Sequence, residues 1–137
     1  EIKEEQTKYD FIISNPPYFV NSLQANTAKR TFARHTDKLP FSDFVNCSLK
    51  LATPNAKICV ILPTLQSDEL TSLFEQKQVK VETQINIYSK PSKPIERIIR
   101  TYSLIPTKQT QIKNVFIREE NGEYSSQYKD IVSDILL

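Results

Sequence analysis

Asn15-Pro16-Pro17-Tyr18 is the segment whose residue types and spacing can do chemistry. Each proline lacks a backbone N–H and restricts the residue before it, so Asn15 and Pro16 are excluded from a helix. The Pro16 carbonyl is expected to point outward with no adjacent N–H to pair, and the Asn15 side chain adds a second carbonyl acceptor beside it. An exocyclic amine such as N6 of adenine has two hydrogens to donate, and two fixed acceptors meet both, orienting the nitrogen and drawing electron density onto it. The Tyr18 ring offers a stacking face for a flat base, worth roughly 1–3 kcal/mol in single-strand binders. Attack of such a nitrogen on a sulfonium methyl needs in-line alignment more than a general base, and alignment alone lowers a barrier substantially. The four residues by themselves point to a methyl-acceptor pocket for an amine or amide nitrogen. The plain alternative is a proline turn that only ends a strand.

Several elements must position this segment. Tyr9–Ser14 (YDFIIS) is a short apolar run stopped by the prolines, which predicts a buried strand. Asp10 reads as a strand-start acid rather than a group that orients the site. Residues 19–39 are polar, basic and aperiodic and predict a long loop, with a helical turn near 24–29. Pro40 opens a helix with Phe41, Phe44, Val45, Ser48, Leu49 and Ala52 on one face, ended by Pro54-Asn55. Residues 57–62 (KICVIL) predict a second buried strand, closed by Pro63. Ser67-Asp68 can cap a helix whose apolar face is Leu70, Leu73 and Phe74, and the two acids Asp68-Glu69 belong to that helix start, not to a carboxylate pair. Alternation over 79–88 places Val79, Val81, Ile85 and Ile87 on one side. The loop SKPSKP follows, then strands at 97–105 and 115–118, a tight turn at Asn121-Gly122, and a short apolar tail at 131–137. Tyr88, Tyr102, Tyr124 and Tyr128 read as packing residues. Continuous apolar strands joined by helices imply an α/β fold with a parallel layer, and the last strand pair, lacking room for a crossover helix, is expected to be antiparallel. Ligands on such sheets bind outside the carboxyl ends of the strands, where Asn15–Tyr18 and Pro63-Thr64 both fall.

Composition narrows the classes. With 137 residues, a single domain spanning 1–137 is expected. Hydrophobic residues at 39% and charged residues at 25% suit a soluble globular domain, and no apolar run approaches the roughly 18 residues that span a bilayer. Residues 1–10 are acidic and polar, unlike a signal peptide. Cys47 and Cys59 sit in segments that read as buried; with no CxxC and one histidine, no metal site is expected, and two reduced core thiols fit a cytoplasmic protein. Lys29, Arg30, Arg34, Lys38 and Lys50 against Asp37 and Asp43 leave residues 21–50 at +3. Residues 90–113 carry six basic side chains against Glu96, and the tail from Asn114 is acidic. Segregated basic stretches suit a polyanionic partner or, equally, a solvated surface. Gly122 is the sole glycine, whereas a nucleotide cradle at a strand–helix turn calls for several.

The chain resembles the tRNA adenine-N6 methyltransferases that act on valine tRNA. The resemblance rests on YDFIISNPPYF, on ARHTDKLPF at 33–41, on KICVILP at 57–63, on YSKPSKPIERII at 88–99 and on ENGEYSSQYKDIVSDILL at 120–137, in order along nearly the whole chain. It implies a Rossmann-like class I methyltransferase sheet, here its C-terminal half, with parallel strands and an antiparallel end strand. It implies S-adenosyl-L-methionine as methyl donor, tRNA as partner and adenine 37 beside the anticodon as target. Asn15, Pro16, Pro17 and Tyr18 would form the catalytic base pocket. Phe19, Lys29, Arg30, Arg34, His35, Thr36 and Arg97 would contact substrate. His35 is read either as a phosphate or base contact or as a solvated loop residue, and Arg97 and Arg100 either as phosphate contacts or as a solvated strand edge. Two other readings stay open: an N5-glutamine protein methyltransferase using the same pocket, and a half-domain without catalysis that only binds RNA or a partner.

The family's enzymes begin with a strand, a glycine-rich turn and a helix that hold the cofactor. No such turn stands in this sequence, so the chain is expected to be a truncated piece. It is expected to be inactive alone and not to bind the cofactor tightly, with no cofactor-binding residue assignable beyond the neighbourhood of Asn15. A sheet cut at the strand over 10–14 exposes an edge, which predicts a dimer or strand-swapped assembly.

Overall fold

A computed structural model describes residues 6–18 and 40–135. Along the chain these form β1 (Tyr9–Ser14), α1 (Phe41–Leu51), β2 (Ala52–Leu62), α2 (Thr64–Glu75), β3 (Lys80–Tyr88), β4 (Ile95–Ser103), β5 (Gln111–Phe116) and α3 (Ser126–Val132). Among the described residues the five strands make one sheet in the order β1-β2-β4-β3-β5. β1 pairs with β2 and β3 with β5 in parallel, while β4 runs antiparallel to both β2 and β3. The expected antiparallel strand is therefore present, but it lies inside the sheet. The β3–β4 pair, joined without a crossover helix, is antiparallel as expected, and β4 is not at the edge because β5 pairs with β3's far side.

Pairing fixes which residues share a face. Ile58, Val60 and Leu62 of β2 meet Tyr102, Arg100 and Ile98 of β4 on one face. α1 and α2 cover that face, burying Phe44, Val45, Leu70 and Phe74 against Ile58, Val60, Leu62 and Tyr102. Each such side chain contributes roughly 1.5–3 kcal/mol on burial. The Phe74 ring stacks on Tyr102 with centroids 4.2 Å apart, and the Tyr102 hydroxyl bonds Thr71 Oγ1 at 2.8 Å. Burial raises the Tyr102 pKa above its ordinary value of 10.0, against the lowering pull of Thr71 and Arg100.

Several expectations shift in detail. α1 ends at Leu51 and β2 starts at Ala52 without a loop, so Ala52 belongs to the strand and Pro54-Asn55 does not terminate the helix. Pro54 is tolerated because the β1–β2 register slips between Tyr9 and Phe11, leaving that stretch outside the ladder. α2 begins at Thr64 behind Pro63, so Ser67 and Asp68 lie within its first turns and cap nothing. In β3 a bulge between Val81 and Thr83 turns Val81 toward Tyr102, while Ile85 pairs with Ile99 on the opposite face. The expected single apolar side is thus split by one extra residue. β4 starts and ends two residues before the expected bounds, and β5 ends at Phe116 rather than spanning 115–118. The apolar tail begins inside α3, which is capped by Ser125 Oγ accepting from Tyr128 N–H. The turn at Asn121-Gly122 stands as read, with Gly122 at φ 88°.

The cysteines depart from a core reading. Cys47 is exposed because it lies off the Phe44–Val45–Ser48 stripe of α1, and Cys59 is half-buried because it faces away from both helices. Among the described residues no helix is long and apolar enough to cross a membrane, and no cluster of metal-ligating side chains occurs.

Candidate functional site

The carboxyl ends of β1, β2, β3 and β5 and the amino end of β4 lie at one end of the sheet, as the pairing directions require. Asn15–Tyr18 leaves β1 at this end, and Pro63 leaves β2. Pro16 is buried, Asn15 and Pro17 are exposed, and Tyr18 is half-buried against the core. Pro16 seats the segment, Asn15 and Pro17 are left at the surface, and the Tyr18 ring is partly covered by the core.

Arg97 comes to this segment from β4, 79 positions away. Its Nη2 donates to the Tyr18 hydroxyl at 3.3 Å, and its Nη1 donates to the Glu96 carbonyl at 2.8 Å. Arg97 is half-buried and its guanidinium carbon lies 6.0 Å from the Tyr18 ring centroid. The β3–β4 turn carries Lys90 and Lys93 at the same end. Glu120 holds that turn, accepting from Ser92 Oγ at 2.8 Å and from the Ser92 N–H. The neighbouring hairpin is closed by Arg118, which donates to the Gly122 carbonyl at 2.7 Å and lies 4.1 Å from the Tyr124 ring centroid.

Of the expected site residues, the structure describes Asn15, Pro16, Pro17, Tyr18 and Arg97, and brings Tyr18 and Arg97 together. Phe19, Lys29, Arg30, Arg34, His35 and Thr36 lie outside the described residues. Arg100 is a correction: it is not a spare phosphate contact. Its Nη1 is 2.7 Å from Asp68 Oδ1, it also bonds Ser67, Thr71 and Gln84, and its side chain is 12% exposed. Asp10 accepts from Thr53 Oγ1 at 2.7 Å at the opposite end of β1, so it does not orient the site. Phe44 is core and Phe41 packs on it; Tyr88 stacks on Phe116 and Tyr124 on Tyr128, as packing residues do. The Arg97–Tyr18 and Ser92–Glu120 contacts went unforeseen, since nothing local in the sequence signals pairing across so many positions.

Gly122 lies in the turn before α3 with a positive φ, and a Cβ there would meet only open space, so this glycine serves the turn. The Asn15–Tyr18 segment brings an exposed asparagine, a proline turn and a ring to this end of the sheet, with a cation beside the ring.

Residues 1–86 match the family model of the Eco57I restriction-modification methylases. A tRNA1(Val) (adenine(37)-N6)-methyltransferase of Parabacteroides distasonis is 31% identical over 98% of this chain and 56% of its own length. The protein of that name from Yersinia enterocolitica is 34% identical over 95% of this chain and 51% of its own length. The chain thus spans about half the length of the curated relatives it matches. Among solved structures, an Agrobacterium tumefaciens protein described as an O-methyltransferase superposes with a TM-score of 0.60 at 11% identity, over 91% of this chain and 51% of the other. A Listeria monocytogenes protein described as a class I S-adenosylmethionine-dependent methyltransferase superposes at 0.51 with 14% identity, over 95% and 41%. The fold is therefore the Rossmann-like one of class I methyltransferases, and the chain belongs to the Eco57I restriction-modification methylase family.

Proposed function

We propose that the complete protein transfers a methyl group from S-adenosyl-L-methionine to N6 of adenine 37 in tRNA, beside the anticodon, and that this chain supplies the acceptor pocket. One observation carries the reading: Asn15–Tyr18 leaves the carboxyl end of β1 with Arg97 drawn up beside the ring. The names that the relatives carry point the same way. Bound cofactor supplies an electrophilic methyl group. This chain's residues do the rest of the work assigned to them here. Asn15 Oδ1 and the Pro16 carbonyl accept the two amine hydrogens, so the nitrogen lone pair is held in line. Tyr18 stacks on the base, and no general base is needed because the amine proton is lost after transfer. Phe19, Lys29, Arg30, Arg34, His35 and Thr36 are assigned to tRNA contact, along with Lys90 and Lys93. A cytoplasmic location goes with this substrate.

In the complete protein, Asn15→Ala should lower turnover on tRNA by at least about 100-fold, the scale of losing one positioned polar group at a reacting centre. tRNA affinity should barely change. Unchanged turnover overturns the assigned role, and methylation of a glutamine-bearing protein instead of tRNA would replace the substrate. The isolated 137-residue chain, by contrast, is proposed to be inactive and to self-associate. Among the described residues β1 pairs on one side only, and Tyr9, Phe11 and Ile13 are exposed along it; a second copy adding there would bury them. A monomeric mass in light scattering at high concentration argues against that assembly.

A further inference from the structure

Tyr18 starts from a backbone fixed by two prolines and packs half-buried against the core, which limits its ring but leaves its far end to be held. The far end is held by Arg97. The guanidinium is itself tied down: one arm bonds the Glu96 carbonyl at 2.8 Å, and its backbone pairs with Ile87 inside the sheet. The other arm donates to the Tyr18 hydroxyl at 3.3 Å. With that bond made and the guanidinium carbon 6.0 Å from the ring centroid, the cation sits beyond the hydroxyl at the ring's edge and does not cover its face. The separation is at the outer limit of cation–π attraction, so the hydrogen bond is the link that matters. A ring held at its edge keeps a face for a base.

We propose that Arg97 is a positioning residue that sets the plane of the Tyr18 ring and thereby the stacking of the acceptor base. This rests on the reading of Asn15–Tyr18 as the acceptor pocket, and it departs from a simple phosphate contact by Arg97. A phosphate contact acts on tRNA affinity and on its salt dependence. A positioning contact acts through Tyr18 and on turnover.

The test is a double-mutant cycle in the complete protein with Tyr18→Phe, which keeps the ring and removes the hydroxyl, and Arg97→Ala. Each single change should lower kcat by about tenfold, the scale of one lost hydrogen bond to a charged donor. tRNA Kd should change little. The double variant should be no worse than either single one. Arg97→Gln, which keeps a donor of similar length, should recover part of the loss, with thermal melting confirming an intact fold for every variant. Binding of an anticodon stem-loop carrying 2-aminopurine at the target position should give a fluorescence change that both single variants alter alike. Additive losses overturn the proposal, as does an Arg97→Ala defect confined to Kd with the salt slope reduced by about one. Asn15→Ala run alongside separates the two levels. If it leaves turnover intact, the pocket reading fails; if it abolishes turnover while the cycle is additive, only the role of Arg97 fails.

Discussion

Arg97 and Arg100 stand on the same strand, yet they point to opposite faces of the sheet and lead different lives. Arg100 faces the helices beside Val60 and Gln84. It is gripped by Asp68, Ser67 and Thr71 of α2 and by Gln84 of β3. From Gln84 the bonds continue to Asn86 at 2.9 Å and to Asn114 at 3.0 Å, so a polar ladder crosses β4, β3 and β5. Arg97 emerges at the sheet's end and, among the described residues, bonds one side chain, Tyr18. A count of basic residues along the chain treats the two as equals. Their faces separate them: one guanidinium holds α2 onto the sheet, the other meets Tyr18 where the chain leaves β1.

The comparison breaks first on stability. Phe74→Ala, in the same helix that Arg100 anchors, should cost about 3–5 kcal/mol in denaturant unfolding, because Phe74 is fully buried against Tyr102. Arg100→Ala should cost about 1.5–3 kcal/mol, the range for hydrogen bonds to a charged group, while Arg97→Ala should stay within about 1 kcal/mol. Equal losses at the two arginines would erase the distinction drawn between them. Asp68→Asn should cost only about 0.5–1 kcal/mol, since the carboxylate is 59% exposed and water screens the pair. The smallest effect under ordinary conditions concerns pH. Burial raises the Tyr102 pKa, so the folded state holds the phenolic proton more tightly than the unfolded chain. That contribution is complete below pH 10 and fades as pH rises through the folded-state value. Tyr102→Phe should flatten this alkaline decline in urea titrations at a series of pH values.

The strands at YDFIIS and KICVIL were readable as apolar runs bounded by proline, and so was the proline turn that follows the first. Only KICVIL buries a face as read: YDFIIS, expected to be a buried strand, is exposed or half-buried along its whole length, because it pairs on one side only among the described residues and its side chains are little covered. What the sequence hid was set by partners distant in the chain. The bulge at Glu82 redirects Val81, and no pattern of hydrophobic residues announces it. β4 inserts between β2 and β3 because its pairing edges satisfy both neighbours, which a reading of loop lengths misses. The fate of Arg100 depended on Asp68 and Thr71 lying on the facing side of α2. Tyr18 was legible as a ring after two prolines, but not as a ring with a cation at its edge.

The placement of β4 also governs the order in which the sheet can assemble. β2 and β3 never touch as paired strands; each is joined to β4. Until residue 103 is available, β3 has no strand between itself and β2. The short turn after Tyr88 makes the β3–β4 hairpin a local event, of the kind that forms in microseconds. Docking that hairpin onto β2 then closes a longer loop around α2 and sets the pace. Nascent chains that end before Ile95 should therefore leave β2 with a bare edge, a window in which the growing polypeptide is open to mispairing and in need of a chaperone.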